Sequence, residues 1–156
     1  MTVYHASDVE VRNPEIRKTR YAKDFGSGFY CTLNYEQAER WARRDRNLVP
    51  IVNYYAYENV PGLACKTFPG MTDEWLDFIA DCRGGLTHEW DIVEGPMAND
   101  TVWNYVNDFV SGAISREAFW ALAKFKYPTH QICFHTPAAL RCIKFIRAEE
   151  LPREQG

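Results

Sequence analysis

Asp24-Phe25-Gly26-Ser27-Gly28-Phe29-Tyr30 is the stretch on which the fold of this chain turns. Two glycines one residue apart let the backbone bend tightly and run close to a neighbour, and the aromatic pair after them favours a strand. Upstream, Thr2-Val3-Tyr4-His5-Ala6-Ser7 reads as an opening strand that carries a histidine. Far downstream, His130-Gln131-Ile132-Cys133-Phe134 reads as an apolar strand headed by a glutamine. The basic loop Arg17-Lys18-Thr19-Arg20-Tyr21-Ala22-Lys23 feeds the glycine turn.

Composition bounds the class. A chain of 156 residues, 46% hydrophobic and 15% aromatic, is long and apolar enough for one folded domain over residues 1–156. A net charge of -3 provides no global field for nucleic acid or an anionic membrane. No run approaches the roughly 18 apolar residues of a membrane span, and the N-terminus lacks the pattern of a secretion signal. The five cysteines (Cys31, Cys65, Cys82, Cys133, Cys142) are an odd set without C-x-x-C spacing. That pattern argues against a zinc site or a disulfide framework and for a reduced, cytoplasmic setting with no metal.

Around the three stretches, periodicity and caps predict the remaining elements. Residues 8–12 alternate as a second extended piece. Asn34 with Gln37 forms a capping box and predicts a helix through about residue 46. Its apolar face is Ala38, Trp41 and Ala42, with Arg40, Arg43, Arg44 and Arg46 opposite. Residues 51–57 and 63–68 read as strands around the Pro61-Gly62 turn. Thr72 caps a helix that stops at Gly84-Gly85, and residues 90–93 form a short strand. Helices are expected over 101–110 and 116–125, then a strand over 131–134, a helical turn capped by Thr136, and a last strand over 142–147. Strands at both ends with helices between them make an α+β fold.

Taken in order, the histidine strand, the glycine turn and the glutamine strand resemble the three NAD-binding strands of the ADP-ribosyltransferase fold. The likeness is to the histidine–tyrosine–glutamate branch, which includes poly(ADP-ribose) polymerases and diphtheria toxin. That branch has His followed by Gly-Ser, then Phe-Gly-x-Gly-Ile-Tyr, then a catalytic Glu before an apolar run. Here Ala6 replaces the glycine and Gln131 replaces the glutamate. The layout is also similar to that of a bacterial domain family of unknown function on this fold, down to its Gln-Ile-x-Phe-His-Thr ending. The resemblance covers about the first 45 and last 25 residues. It implies two small, roughly perpendicular sheets around an NAD cleft, with the helices over 101–125 as an insertion.

The resemblance also assigns roles. His5, Tyr30 and Gln131 would be the catalytic set. His5, Ala6, Ser7, Arg20, Gly28, Tyr30 and Trp41 would bind NAD+. His5 would bond the adenosine ribose, and Tyr30 would stack on nicotinamide with Trp41 completing the sandwich. Arg20 would fork onto the diphosphate. Gln131 would orient the nicotinamide ribose through its carbonyl but supply no charge, a loss typically costing about 10²–10³ in rate. Asp91, Glu94 and Asp100 are the candidate carboxylates to replace that charge. The implied activity is transfer of one ADP-ribose to a protein or nucleic-acid acceptor met through residues 124–129. Such a protein would be an intracellular toxin with a neutralising antitoxin as partner. Two alternatives stay open, a non-catalytic NAD or ADP-ribose binding module and an NAD-dependent RNA 2′-phosphotransferase.

Overall fold

A computed structural model describes residues 1–17, 23–98, 100–123 and 129–153, and its architecture is mixed α+β on two small sheets. In chain order the elements are β1 (Thr2–Ser7), β2 (Phe29–Cys31), α1 (Tyr35–Ala42), β3 (Ile51–Tyr57), β4 (Cys65–Thr67) and α2 (Asp73–Arg83). There follow β5 (Ile92–Gly95), α3 (Asp100–Val110), α4 (Arg116–Leu122), β6 (Gln131–Phe134), α5 (Pro137–Leu140) and β7 (Ile143–Glu150). The first sheet is antiparallel in the order β1-β3-β7. The second has the order β2-β6-β5-β4, antiparallel except for the parallel pair β4–β5. Tyr4 and Thr32 exchange backbone hydrogen bonds of 2.8 and 2.9 Å, which pin β1 beside β2 where the two sheets meet.

Alternation sends each strand's two faces into different clusters. Phe29, Ile132 and Phe134 of the second sheet pack with Val3, Tyr55 and Ile143 of the first. The opposite face of the second sheet, with Val93 and Cys133, meets Trp75, Leu76 and Ile79 of α2, Val106 of α3 and Phe119 of α4. The helices expected as an insertion therefore contribute to the core, through Val102, Val106 and Phe119. On the far side of the first sheet, Ala38 and Ala42 of α1 close over Val52 and Leu151.

The caps act as the sequence predicts: Asn34, Thr72, Ser115 and Thr136 each accept from a backbone N–H in the first turn of their helix. Several boundaries shift, among them β4 to Cys65–Thr67, the end of α4 to Leu122 and the end of β7 to Glu150, and three changes have a visible cause. The first helix ends at Ala42, four residues early, because Arg43 caps it with bonds to the Glu39 and Trp41 carbonyls. Residues 8–12 form no strand; the Asn53 amide holds them instead, accepting from Val11 N at 2.9 Å and donating to Val9 O at 3.1 Å. The fifth strand begins at Ile92, since Asp91 turns the chain by accepting from Ala64 N at 2.9 Å and Thr136 Oγ1 at 2.6 Å. None of the described helices is long and apolar enough to cross a membrane.

Candidate functional site

The glycine turn is closed from inside and outside. Gly26 has φ of 88°, a left-handed conformation that suits glycine, and its N–H reaches Lys23 O at 3.1 Å. Tyr30 folds back over the bend: its hydroxyl donates to Gly26 O at 2.5 Å and accepts from Phe25 N at 3.0 Å. His135 clips the far side by donating from Nδ1 to Ser27 O at 2.8 Å. Burial lowers the His135 pKa to about 4, so the ring is neutral at physiological pH. Gly28 makes the close approach that its position predicts, to the end of β6. A Cβ there would stand 2.5 Å from Cys133 Sγ and 2.8 Å from Phe134 O. Gly28 thus has a packing reason of its own.

His5 enters this site from β1. Its Nδ1 donates to the Tyr30 carbonyl at 2.6 Å, and its ring stacks on Phe29 with centroids 4.1 Å apart. Burial lowers its pKa to about 4. The ring is therefore neutral, and because Nδ1 carries the proton, Nε2 is a lone-pair acceptor. The Tyr30 ring lies stacked beside Phe25, with Lys23 Nζ 5.2 Å from its centroid. The same lysine charge reaches His5 and Arg44.

Tyr30 and Gln131 share one face of adjacent strands, because Tyr30 pairs with Cys133 and side chains alternate. Gln131 is 5% exposed, and its Nε2 donates to Asp24 Oδ2 at 3.1 Å and to Pro96 O at 3.4 Å. Both partners accept only, so the NH2 must face them and Oε1 must point the other way. No described residue donates to that oxygen. Asp24, itself 6% exposed, also accepts from Ala98 N at 2.9 Å and pairs with Arg83. Burial lowers the Arg83 pKa, while the Asp24 charge opposes that shift.

The carboxylate beside Gln131 is thus Asp24, at the head of the glycine motif. Asp91 is committed to the Thr136 hydroxyl and to Ala64 N, which hold its pKa down. Glu94 pairs with Ile132 across the strands and so lies on the face opposite Gln131, bonded to His130 Nε2 at 2.8 Å. The Asp100 side chain, Arg20 and residues 124–128 lie outside the described residues. A second contributor also escaped the motif: Gln37. The capping box is half made, since Asn34 caps Gln37 N but the Gln37 side chain crosses to the residue just before β6. There it donates to His130 O at 2.6 Å and accepts from His130 N at 3.0 Å, fixing the peptide next to Gln131.

Ala6, Ser7 and Trp41 come together in a pocket of about 220 Å³ that Asp8, Arg44 and Leu48 help to line. Trp41 is 43% exposed, so it is no core residue, and the Arg44 guanidinium covers its ring at 3.9 Å. A volume of that size holds one ring system, less than a dinucleotide needs.

These features define a small mixed α+β protein in which a histidine strand is tied to a glycine-turn strand through the His5–Tyr30 bond, and that strand pairs in turn with a glutamine strand. Residues 1–145 match the family described as Protein of unknown function (DUF3990), and the chain belongs to that family. No curated protein matches the sequence.

Proposed function

We propose that this protein is a mono-ADP-ribosyltransferase that cleaves NAD+ and passes ADP-ribose to a macromolecular acceptor. One observation carries the reading: Gln131 presents a carbonyl oxygen of fixed direction on the face of Tyr30, whose own carbonyl holds His5. In the reaction the bond from ribose C1′ to the nicotinamide nitrogen breaks, and its electron pair leaves with nicotinamide. An acceptor nucleophile then bonds C1′ and gives up its proton. The transition state carries positive charge on the ribose, so the protein must orient the sugar and keep water away. Gln131 Oε1 accepts from a ribose hydroxyl, and neutral His5 Nε2 accepts from another. Trp41, once Arg44 moves aside, offers an aromatic face to a base, and Lys23 and Arg44 supply charge for the diphosphate. Because Gln131 is nearly buried, the ribose reaches it through a local opening. A cytoplasmic toxin held by an antitoxin suits this activity.

A second reading has its own support. The burial of Gln131 and its bonds to Asp24 and Pro96 also suit a structural glutamine in a module that binds NAD without cleaving it. A thermal-shift titration with NAD and an assay of free nicotinamide separate the two. Stabilisation that grows with NAD together with nicotinamide release supports the enzyme, and stabilisation alone supports the module. No shift at millimolar NAD sinks both.

A further inference from the structure

We infer that Asp24 is a positioning residue for Gln131, fixing which end of its amide meets the ligand. The inference rests on Gln131 being the ribose-facing residue proposed above. A glutamine amide is nearly symmetric in shape, and a free one presents oxygen or nitrogen with similar ease. Asp24 removes that symmetry. Its Oδ2 lies 3.1 Å from Gln131 Nε2, and the carboxylate is anchored by Ala98 N and Arg83, whose side chain is 2% exposed. Pro96 O, 3.4 Å from the same nitrogen, agrees on the direction. A carboxylate against the N–H end also draws electron density toward the carbonyl, making Oε1 a stronger acceptor than an isolated amide.

The arrangement gives the glutamine a reason to be there. A glutamate at position 131 would set a second carboxylate against Asp24 Oδ2 and Pro96 O, which have no proton to offer. Asp24 therefore selects an amide, and the residue pair divides between two positions what a single glutamate does alone. Asp24 sits behind Gln131 and acts through it.

Removing Asp24 alone would orphan the buried Arg83 cation, so the test uses charge-neutral pairs. Asp24→Asn/Arg83→Met keeps an acceptor oxygen for Gln131 and Ala98, whereas Asp24→Ala/Arg83→Met removes it. Two quantities are read: hydrogen exchange of the Gln131 side-chain NH2 by NMR without NAD, and kcat and KM for nicotinamide release. The Asn pair should keep slow amide exchange and native kcat. The Ala pair should exchange fast and lose kcat by about 10–100-fold, as when a partner that orients a ligand group is lost, with KM unchanged. Gln131→Glu serves as a second variant and should melt lower and release less nicotinamide than the unmutated chain. Equal kcat in the two pairs, fast exchange in the unmutated chain, or a Gln131→Glu protein of native melting temperature and higher release overturns the inference. Slow exchange in an unmutated chain that neither binds nor cleaves NAD makes the pair a structural tie. That outcome removes the function first and this inference with it.

Discussion

Gln131 and Tyr30 each have a second function in the fold, and this changes what their substitutions report. At Tyr30, removing only the hydroxyl would test ring stacking if that hydroxyl were idle. It closes the glycine turn instead, between Gly26 O and Phe25 N. Tyr30→Phe should therefore lower stability by about 1–3 kcal/mol by leaving Phe25 N–H unpaired in a half-buried site. Chemical denaturation would show it, and an unchanged midpoint would mean water replaces the hydroxyl. Gln131→Ala frees Asp24 of one donor while Ala98 N and Arg83 still hold it, so the chain should fold. If Oε1 acts mainly in the transition state, nicotinamide release should fall sharply and NAD binding should hardly change. Equal release before and after the change would remove Gln131 from the chemistry.

At the scale of elements, the site depends on how β2, α1 and β6 are tied. Gly28 lets β2 lie against the end of β6, and Gly28→Ala would press a methyl group onto Cys133 Sγ and a backbone carbonyl. A backbone atom cannot yield as a side chain does, so the expected cost is roughly 1–3 kcal/mol. Gly62, at a positive φ that Gly28 does not adopt and with nothing within 4 Å of a Cβ, would lose stability on the same change through its backbone conformation alone. A Gly28→Ala protein of unchanged stability would remove packing as the reason for Gly28. In α1, Trp41→Ala removes a ring that belongs to none of the core clusters, so the melting temperature should hold while stabilisation by NAD weakens. A fall in melting temperature with NAD stabilisation intact would assign Trp41 to the fold.

Across the whole molecule, two buried histidines set an acid limit. His5 and His135 titrate near 4 in the folded chain against an ordinary 6.5, because burial disfavours the cation. Between those values the unfolded chain binds protons that the native chain does not. Their contribution is complete above about 6.5 and is lost as pH falls through that window toward 4. Urea midpoints measured across the window should fall with pH, and His5→Asn and His135→Asn should each flatten the slope while keeping a donor for the carbonyl that the histidine serves. A midpoint that stays level between 6.5 and 4 would contradict the burial of both rings.

Local rules legible in the chain determined most elements: four helix caps, the glycine bend and the apolar strands sit where residue types and spacing put them. The order of the histidine, tyrosine and glutamine strands was also legible, because each carries its own short motif. What no local pattern contains is which side chains meet at long range. Asp24 and Gln131 are 107 residues apart, and Gln37 and His130 are 93 apart. In sequence Asp24 is one acidic residue after a basic loop, and Gln37 is half of a capping box. Only the pairing of β2 with β6, and the packing of α2 against that sheet, put a buried carboxylate behind the glutamine. Burial then decided the rest, since outside water a carboxylate must find donors and an amide must choose its direction.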